Sequence, residues 1–313
     1  MENHTFFSEF LLLGFSISPK VQIVLFVLFL TIYTVALVGN ALILLVICID
    51  SQLHTPMYFF LCHLSIVDIC YASNNVPHIL RNFLVLRKTI SLVGCGTQMY
   101  LYMALGHTEC MLLAVMSYDR FVAICHPLRY SVIMNWRVCS VLVIASWDCG
   151  SLLAAVHVIL AWLLPFCGAR EVVHFFCEIL AVLKLACADI TVNKLVIFAA
   201  CVIILLLPFT LILISYLHIL AAILRISSTE GQRKTFSTCS SHLTVVGLFY
   251  GAAMFVYMVP GTGNSTLQQK ILSLFYSLVN PTLNPLIYSL RNKQVKGALV
   301  KMKRSLGERE RFS

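Results

Sequence analysis

The chain has 313 residues, of which 60% are hydrophobic and only 11% are charged, and its formal net charge is +9. Because a soluble domain usually carries about 25% charged residues, this composition excludes an ordinary water-soluble globular protein. The basic residues after Leu290 directly follow an apolar segment, so the positive charge does not indicate nucleic-acid binding.

Long apolar segments recur along the chain, and each is long enough to cross a bilayer, which takes about 20 helical residues. Each must be a helix because lipid offers the backbone no hydrogen-bond partner, and continuous apolar runs do not fit the alternating pattern of a β-barrel. The predicted fold is all-α, a seven-transmembrane-helix bundle in a single domain, residues 1–313. The predicted spans are Val21–Ile49, Pro56–Leu80, Gly94–Ile124, Arg137–Leu163, Asn193–Ile223, Thr235–Val259 and Lys270–Ser289.

Loop charges predict how these spans are oriented. Basic residues are more numerous at the end that holds Arg120 and the tail, about residues 291–313, which makes that end cytoplasmic. The N-terminus, about residues 1–20, then lies outside, where Asn3-His4-Thr5 is a glycosylation sequon. A second sequon, at Asn264, lies close to the membrane, so Asn3 is the favoured site.

Polar side chains interrupt the apolar spans at Asn40, Asp68, Glu109, Asn280 and Asn284, and in one bundle the last four converge near mid-depth. Two neighbouring carboxylates in a dry site cannot both stay ionised without a counter-charge. Oxygen ligands suit a hard cation. A sodium ion at Asp68 and Glu109 and a protonated, water-bridged network are both open, and no other cofactor is expected.

Four of the 13 cysteines fall on the predicted outer side, at the top of span three and in the long loop after span four. They are Cys95, Cys167, Cys177 and Cys187. Their outer location predicts disulfides, and from the spacing alone all three pairings stay open.

Span seven and the tail carry two further signals. Pro285, within Asn284-Pro285-Leu286-Ile287-Tyr288, removes a helical hydrogen bond and predicts a hinge. In the tail, Val295, Leu299 and Met302 recur among lysines at helical spacing. This pattern predicts a short amphipathic interfacial helix on anionic lipid.

Several motifs follow one another in a specific order along nearly the whole chain. They are Gly39-Asn40, Leu53-His54-Thr55-Pro56-Met57-Tyr58, Leu64-Ser65-Ile66-Val67-Asp68, Met116–Cys125, His126-Pro127-Leu128-Arg129-Tyr130, Ser215-Tyr216, Lys234–Leu243 and Pro285–Asn292. With these motifs the chain resembles a vertebrate olfactory receptor of the rhodopsin-like G-protein-coupled class. It departs from that family at Asp148, where a small or apolar residue is more usual.

The resemblance implies the disulfides Cys95–Cys177 and Cys167–Cys187. Since only a thiolate binds metal well, a disulfide-bonded Cys177 argues against a metal site with His174. The resemblance also implies that odorant binding activates a stimulatory, olfactory-type G protein and raises cAMP, at the plasma membrane of olfactory neuron cilia.

An adjacent acid and base, Asp119 and Arg120, stand at the cytoplasmic end of span three, where such a pair alone is usually a topology anchor. The resemblance assigns them to coupling, with Arg120 paired to Asp119 at rest. The residues implied in this activation switch are Asp119, Arg120, Tyr216, His242, Asn284, Pro285 and Tyr288. Enzymatic action is not expected, because no nucleophile, base and orienting group fall at compatible depths.

The ligand pocket is predicted in the outer half, between spans three, five, six and seven. His107 and Tyr257 are the favoured polar contacts, since buried polar tips need partners. No carboxylate stands beside Tyr102, which argues against an amine and favours a small, neutral, volatile ligand. The predicted contacts are Tyr102, Met103, Gly106, His107, Phe198, Val202, Tyr250, Met254, Tyr257, Leu274 and Ser277.

Two alternatives remain at this stage. A chemoreceptor of the same fold in a tissue other than olfactory epithelium fits the sequence equally well. A transporter or channel predicts polar residues along several spans, or an inverted repeat of broken helices, and neither pattern is visible in the sequence.

Overall fold

The computed structural model describes residues 8–14, 18–167, 170–225, 228–258, 270–271, 273–291 and 293–309. Within these ranges, residues 234, 238, 256–258, 276, 289–291, 293 and 303–309 are described by their backbone alone. The sequons at Asn3 and Asn264 therefore lie outside the described residues, as does the side chain of Tyr257.

Helices dominate the structure. Short 3₁₀ turns cover Ser51–Leu53 and Pro127–Arg129, and π-helical segments cover Val202–Leu206 and Phe275–Val279. The elements in chain order are β1 (Glu9–Leu12), α1 (Pro19–Ile49), α2 (Pro56–Leu84), β2 (Thr89–Ser91), α3 (Leu92–Cys125), α4 (Tyr130–Ile133), α5 (Trp136–Trp162), β3 (Glu171–Val172), α6 (Ile179–Leu183), α7 (Thr191–Cys201), α8 (Leu207–Leu224), α9 (Thr229–Met258), α10 (Asn280–Arg291) and α11 (Lys293–Arg309).

The predicted seven-helix bundle is confirmed. Among the described residues, five helices are long and apolar enough to cross a membrane: α1, α2, α3, α5 and the continuous Thr191–Leu224 segment of α7 and α8. The sixth predicted span lies within α9, and the seventh coincides with the Phe275–Val279 segment and α10. The chain is therefore a multi-pass membrane protein.

Local sequence explains where several helices begin. Pro19 and Pro56 occupy the first positions of α1 and α2, where a missing N–H removes no helical bond. The Ser91 Oγ accepts a hydrogen bond of 3.0 Å from the Gly94 N–H and caps α3. The Asn135 Oδ1 caps α5 in the same way, accepting from the Val138 N–H at 3.1 Å.

Helix α3 lies at the centre of the bundle and packs against α2, α5 and α8. It approaches α5 so closely at Gly150 that a Cβ atom there would lie 2.5 Å from the Thr108 Oγ1 and 2.8 Å from the Ala104 carbonyl oxygen. No side chain fits such distances, so glycine at position 150 sets the spacing of the two helices.

A small three-stranded sheet covers one end of the bundle, hereafter the sheet end. Strand β1 pairs antiparallel with β2 and parallel with β3, with Glu9 opposite Ser91 and Leu11 opposite Glu171. Phe10 on β1 is fully buried. The opposite end, where α3 finishes, is called the Arg120 end.

Both disulfides implied by the resemblance are present at the sheet end. Cys95–Cys177 ties the start of α3 to the loop after α5, and Cys167–Cys187 closes that loop on itself. The pairing that spacing alone left open is thus resolved in the structure.

At the Arg120 end, α11 folds back against the bundle as an amphipathic helix. Val295 and Ala298 are buried, whereas Lys296 is exposed. The Tyr58 hydroxyl on α2 donates a 2.5 Å hydrogen bond to the Gln294 Oε1. The Lys301–Asp50 ion pair, at 3.6 Å, is largely exposed and contributes little.

Candidate ligand cavity and the polar clusters below it

A cavity with a free volume of about 50 Å³ lies inside the bundle toward the sheet end. This is smaller than the roughly 300–1,000 Å³ of typical small-molecule sites, so a ligand there must be small or must displace neighbouring side chains. Four predicted contacts on α3 line it: Tyr102, Met103, Gly106 and His107. Helical spacing alone was sufficient to find them, because α3 is central and one of its faces must meet the cavity.

Sequence reasoning missed most of the remaining wall. The additional lining residues are Tyr71, Cys110, His157, Ile179, Ile197, Ala200, Cys201, Ile204, Leu205 and Ala253. The main omission is His157 on α5, because the pocket was predicted between spans three, five, six and seven only. The sequence does contain a signal for it, because a histidine within an apolar membrane span is energetically unfavourable and often marks a functional site.

On α7, the face that lines the cavity differs from the predicted one. The structure brings Ile197, Ala200 and Cys201 to the cavity, at the helical spacing of three and four residues. Phe198 is 46% exposed on the outer side of the bundle, and Val202 also lies away from the cavity wall. Residues 195–207 are all apolar, so hydrophobicity within that run could not identify the inner face.

Tyr250 and Ser277 are buried but engaged elsewhere. The Tyr250 hydroxyl donates to the Cys110 carbonyl at 2.9 Å, and the Ser277 Oγ donates to the Ser273 carbonyl at 2.6 Å. Met254 and Leu274 pack in the main apolar cluster rather than on the cavity wall. Their contact with a ligand stays a prediction, as does that of Tyr257.

The loop after α5 closes the cavity from the sheet end. Ile179 of α6 reaches the cavity wall, and the Phe176 ring lies 5.0 Å from the Tyr102 ring. The Cys177 N–H donates to the Gln98 Oε1 at 2.9 Å, which fixes the loop beside its disulfide. A ligand in the cavity is thereby shielded from water on that side.

Glu178 begins α6 and is almost fully buried in the same loop. Its carboxylate caps the helix by accepting from the Ala181 N–H at 2.9 Å. Burial raises the pKa of this carboxyl, and the hydrogen bonds from the Leu180 and Ala181 backbone partly offset that rise.

Toward the Arg120 end from the cavity, the predicted cluster of polar residues does converge. The Asn284 Nδ2 lies 3.0 and 3.1 Å from the two Asp68 carboxylate oxygens and 3.5 Å from the Glu109 Oε1. All three side chains are buried. One neutral amide links two acids that lie on different helices.

Asn40 fastens α1 to the same region. Its Nδ2 donates 2.9 Å hydrogen bonds to the carbonyls of Ala36 and Pro281. Asn280 is also buried, and within the described residues its Nδ2 has no partner. Pro285 has no N–H to donate to the Pro281 carbonyl one turn earlier, and Asn40 uses that carbonyl.

The resting pair expected at the Arg120 end differs in the structure. Asp119 is buried and accepts a 2.8 Å hydrogen bond from the Tyr130 hydroxyl on α4. No ion pair joins Arg120 to Asp119 among the described residues, and the Arg120 Nε is buried there without a partner. The Asp119–Arg120 pairing was therefore wrong for this conformation, because Tyr130 takes the carboxylate.

The other residues implied in the switch surround this position. The Tyr216 hydroxyl and the His242 Nδ1 share a 2.7 Å hydrogen bond that joins α8 to α9. Tyr288 on α10 is buried, and its hydroxyl has no partner in the described part of the chain. Three helices thus present polar groups close to the end of α3.

A multi-pass helix bundle with an internal cavity near one end and adjacent Asp and Arg residues at the other has the layout of a rhodopsin-like receptor. The olfactory receptor family model matches residues 29–305. The chain is 61% identical over 307 residues to human olfactory receptor 2A1/2A42, covering 98% of each chain. It is 63% identical to human olfactory receptor 2A5, over 95% of this chain and 96% of that one.

A mouse relative, olfactory receptor 2A7, is 57% identical over 97% of this chain and 98% of its own length. The chain belongs to the olfactory receptor family. Members of this family are G-protein-coupled receptors, so the protein is a receptor and not an enzyme.

Proposed function

We propose that this receptor detects odorants by binding them in the cavity between α3, α5 and α7. The observation that carries the proposal is a space inside the bundle that is lined by apolar side chains and a few polar ones. None of the described residues that line it is Asp, Glu, Lys or Arg. An unpaired charge is costly in such a site, so the expected ligand is small, neutral and volatile.

A cavity-filling substitution tests this assignment. Ala200 lines the cavity, whereas its neighbour Ala199 is exposed on the outside of α7. Ala200→Phe should abolish the cAMP response to active odorants at unchanged surface level, because the ring occupies the ligand space. Ala199→Phe adds the same ring outside the bundle and should keep the response. Equal responses of the two variants would place the ligand elsewhere.

The sheet end is proposed to face outward and the Arg120 end the cytoplasm. The two disulfides need an oxidising compartment, which supports this orientation. At the cytoplasmic end, Arg120 is proposed to contact a stimulatory, olfactory-type G protein. An odorant that binds the active packing more tightly shifts the population by that difference in affinity.

A substitution of Arg120 tests its proposed role in G-protein coupling. Arg120→Ala should reduce odorant-evoked cAMP to the background of cells without receptor, with surface expression retained. Arg137 lies at the same end on α5 and is exposed. Arg137→Ala is the matched control and should signal normally. Normal cAMP output from the Arg120 variant would contradict the assignment.

The Asp68–Glu109 pair is proposed to hold one positive charge, either a proton or a sodium ion. Both carboxyls are buried around the Asn284 amide, which cannot neutralise two charges. Sodium would use the carboxylate oxygens as hard ligands. Replacing sodium by a large organic cation should shift the odorant dose–response of wild type but not of Asp68→Asn. An unshifted wild type favours the proton.

The amphipathic α11 is proposed to lie on anionic lipid at the cytoplasmic face. Its apolar side packs into the bundle through Val295 and Ala298, while Lys296 and Lys301 stay exposed. Basic side chains beside an anionic leaflet gain about 1 kcal/mol each. Lys296→Glu together with Lys301→Glu should therefore lower the surface level, and Lys→Arg at both positions should not.

A further inference from the structure

Two histidines on facing helices line the cavity, His107 on α3 and His157 on α5, with ring centroids 5.9 Å apart. A neutral imidazole carries its proton on one nitrogen and has a lone pair on the other. Which nitrogen carries the proton decides whether the cavity offers a ligand a hydrogen-bond donor or an acceptor.

The backbone decides this for His157. Its Nδ1 lies 2.5 Å from the Leu153 carbonyl oxygen one turn earlier in α5. A carbonyl oxygen can only accept a hydrogen bond, so Nδ1 must carry the proton. Nε2 of this ring is then an acceptor.

His107 faces this ring without a fixed tautomer, since its Nδ1 is buried with no hydrogen-bond partner among the described residues. A buried acceptor that is left without a partner costs about 1–3 kcal/mol, which a ligand donor to the His157 Nε2 would offset.

We infer that the ligand of this receptor carries a hydroxyl group, as a small alcohol or phenol, whose O–H donates to the His157 Nε2. The inference rests on the proposed odorant site and adds the chemical class of its ligand. Ethers, esters and aldehydes of the same shape offer only acceptors, and an acceptor facing the lone pair of the His157 Nε2 makes no hydrogen bond. A carboxylic acid is ionised at neutral pH and also has no donor.

Carbonyl compounds are the rival class, because the wall also includes Tyr71 and Tyr102, and a tyrosine hydroxyl can donate a hydrogen bond. Their rings pack together at 5.1 Å. A metal is not the occupant favoured here, since no group of three His, Cys, Asp or Glu side chains in the described part of the chain is placed to hold one. The hydroxyl and carbonyl classes make opposite predictions for matched compounds.

The test is a cAMP dose–response series in cells with confirmed surface receptor. Primary alcohols and phenols of several sizes are compared with their own methyl ethers and with the corresponding aldehydes. One lost hydrogen bond should make each ether and aldehyde about tenfold less potent than its hydroxyl parent. Equal or greater potency of the ether or aldehyde would overturn the inference.

Histidine variants show whether the preference for hydroxyl compounds over their ethers and aldehydes comes from the histidine rings. His157→Phe keeps a planar ring without the acceptor, and it should make alcohol and methyl ether nearly equipotent. His157→Gln restores an acceptor and should restore part of the preference. Val156→Ile, on the exposed side of the same helix, is the control and should keep the wild-type ratio. A preference for hydroxyl compounds that is unchanged in His157→Phe would contradict the inference.

The two proposals fail differently. If acceptor-only compounds activate the receptor best and Ala200→Phe abolishes those responses, the cavity is the odorant site and the hydroxyl assignment is wrong. If hydroxyl compounds activate both Ala200→Phe and wild type equally, the cavity is not the site and both proposals fall. Silence of every compound at confirmed surface level also counts against both.

Discussion

Asp148 is the residue whose position is hardest to reconcile with a membrane. It is exposed on α5, and its neighbours one turn away, Ile144 and Leu152, are 58% and 69% exposed. That face meets lipid. A carboxyl near mid-membrane costs about 2.5–3.5 kcal/mol on insertion scales.

Replacing that carboxyl with an apolar side chain should therefore favour membrane insertion and raise the stability of the receptor. Asp148→Leu is expected to raise the surface level and the unfolding temperature of purified receptor, and Asp148→Asn should fall between. Flow cytometry of tagged receptor and a thermal-shift assay measure the two effects. A lower surface level in Asp148→Leu would show instead that the carboxyl makes a needed contact.

His174 gives the receptor a pH dependence at the residue scale. It lies in the loop after α5, where burial, and then the positive charges of Lys270 and Lys184, lower its pKa to about 3 from an ordinary 6.5. As the pH falls below about 6.5, His174 is protonated in the unfolded chain but stays neutral in the folded chain. The stabilisation is complete above about pH 6.5 and is lost as the pH falls toward 3, by at most about 1.4 kcal/mol per pH unit.

The unfolding temperature of purified receptor should therefore fall between about pH 6.5 and pH 5. His174→Gln keeps an acceptor near the Phe176 N–H, which lies 3.5 Å from the His174 Nδ1, but cannot titrate. The variant should show a flatter pH profile than wild type. Parallel profiles would mean that other groups cause the pH dependence.

At the scale of elements, the contact between α3 and α5 is the least tolerant of change. A Cβ at Gly150 would meet the Thr108 hydroxyl and the Ala104 backbone, and backbone cannot move aside. Gly150→Ala should push the helices apart and reduce the surface level severalfold. It should also disturb the cavity, because α3 and α5 line it through His107 and His157.

Gly247 on α9 provides the matched control, since a Cβ there would meet nothing within 4 Å. Gly247→Ala should stabilise the helix by about 0.5–1 kcal/mol, through propensity alone. The pair is compared by surface level and by thermal unfolding. Equal effects of the two substitutions would contradict the close-contact explanation.

The elements that the sequence predicted well were those with a signal carried by length and hydropathy. Span boundaries agree with the helices to within a few residues in most cases, because an apolar run of that length has no other stable form in lipid. The convergence of Asp68, Glu109 and Asn284 was also predictable, since polar groups in apolar spans avoid lipid.

Helix rotation and competition between partners were not predictable. Ile197 and Phe198 are both apolar neighbours, and only tertiary packing decides which one lines the cavity. Asp119 has an arginine beside it in sequence, yet its partner is Tyr130 on a separate short helix. A single sequence does not show which of two nearby donors bonds to a given acceptor in the folded chain.

At the scale of the whole molecule, the structure separates two functional ends. The cavity, closed by the disulfide-bonded loop, lies toward the sheet end, and the polar groups around Arg120 lie at the other. Between them, Asn284 links α2, α3 and α10 through Asp68 and Glu109.

The central claim is that odorants bind in the cavity between α3, α5 and α7. A cryo-electron microscopy structure of the receptor with an active odorant tests it most directly. The account predicts ligand density beside His107, His157 and Ala200, below the loop that carries Ile179. Density at another position, such as the groove beside Trp162 on the outside of α3 and α5, with the cavity empty, would contradict the account.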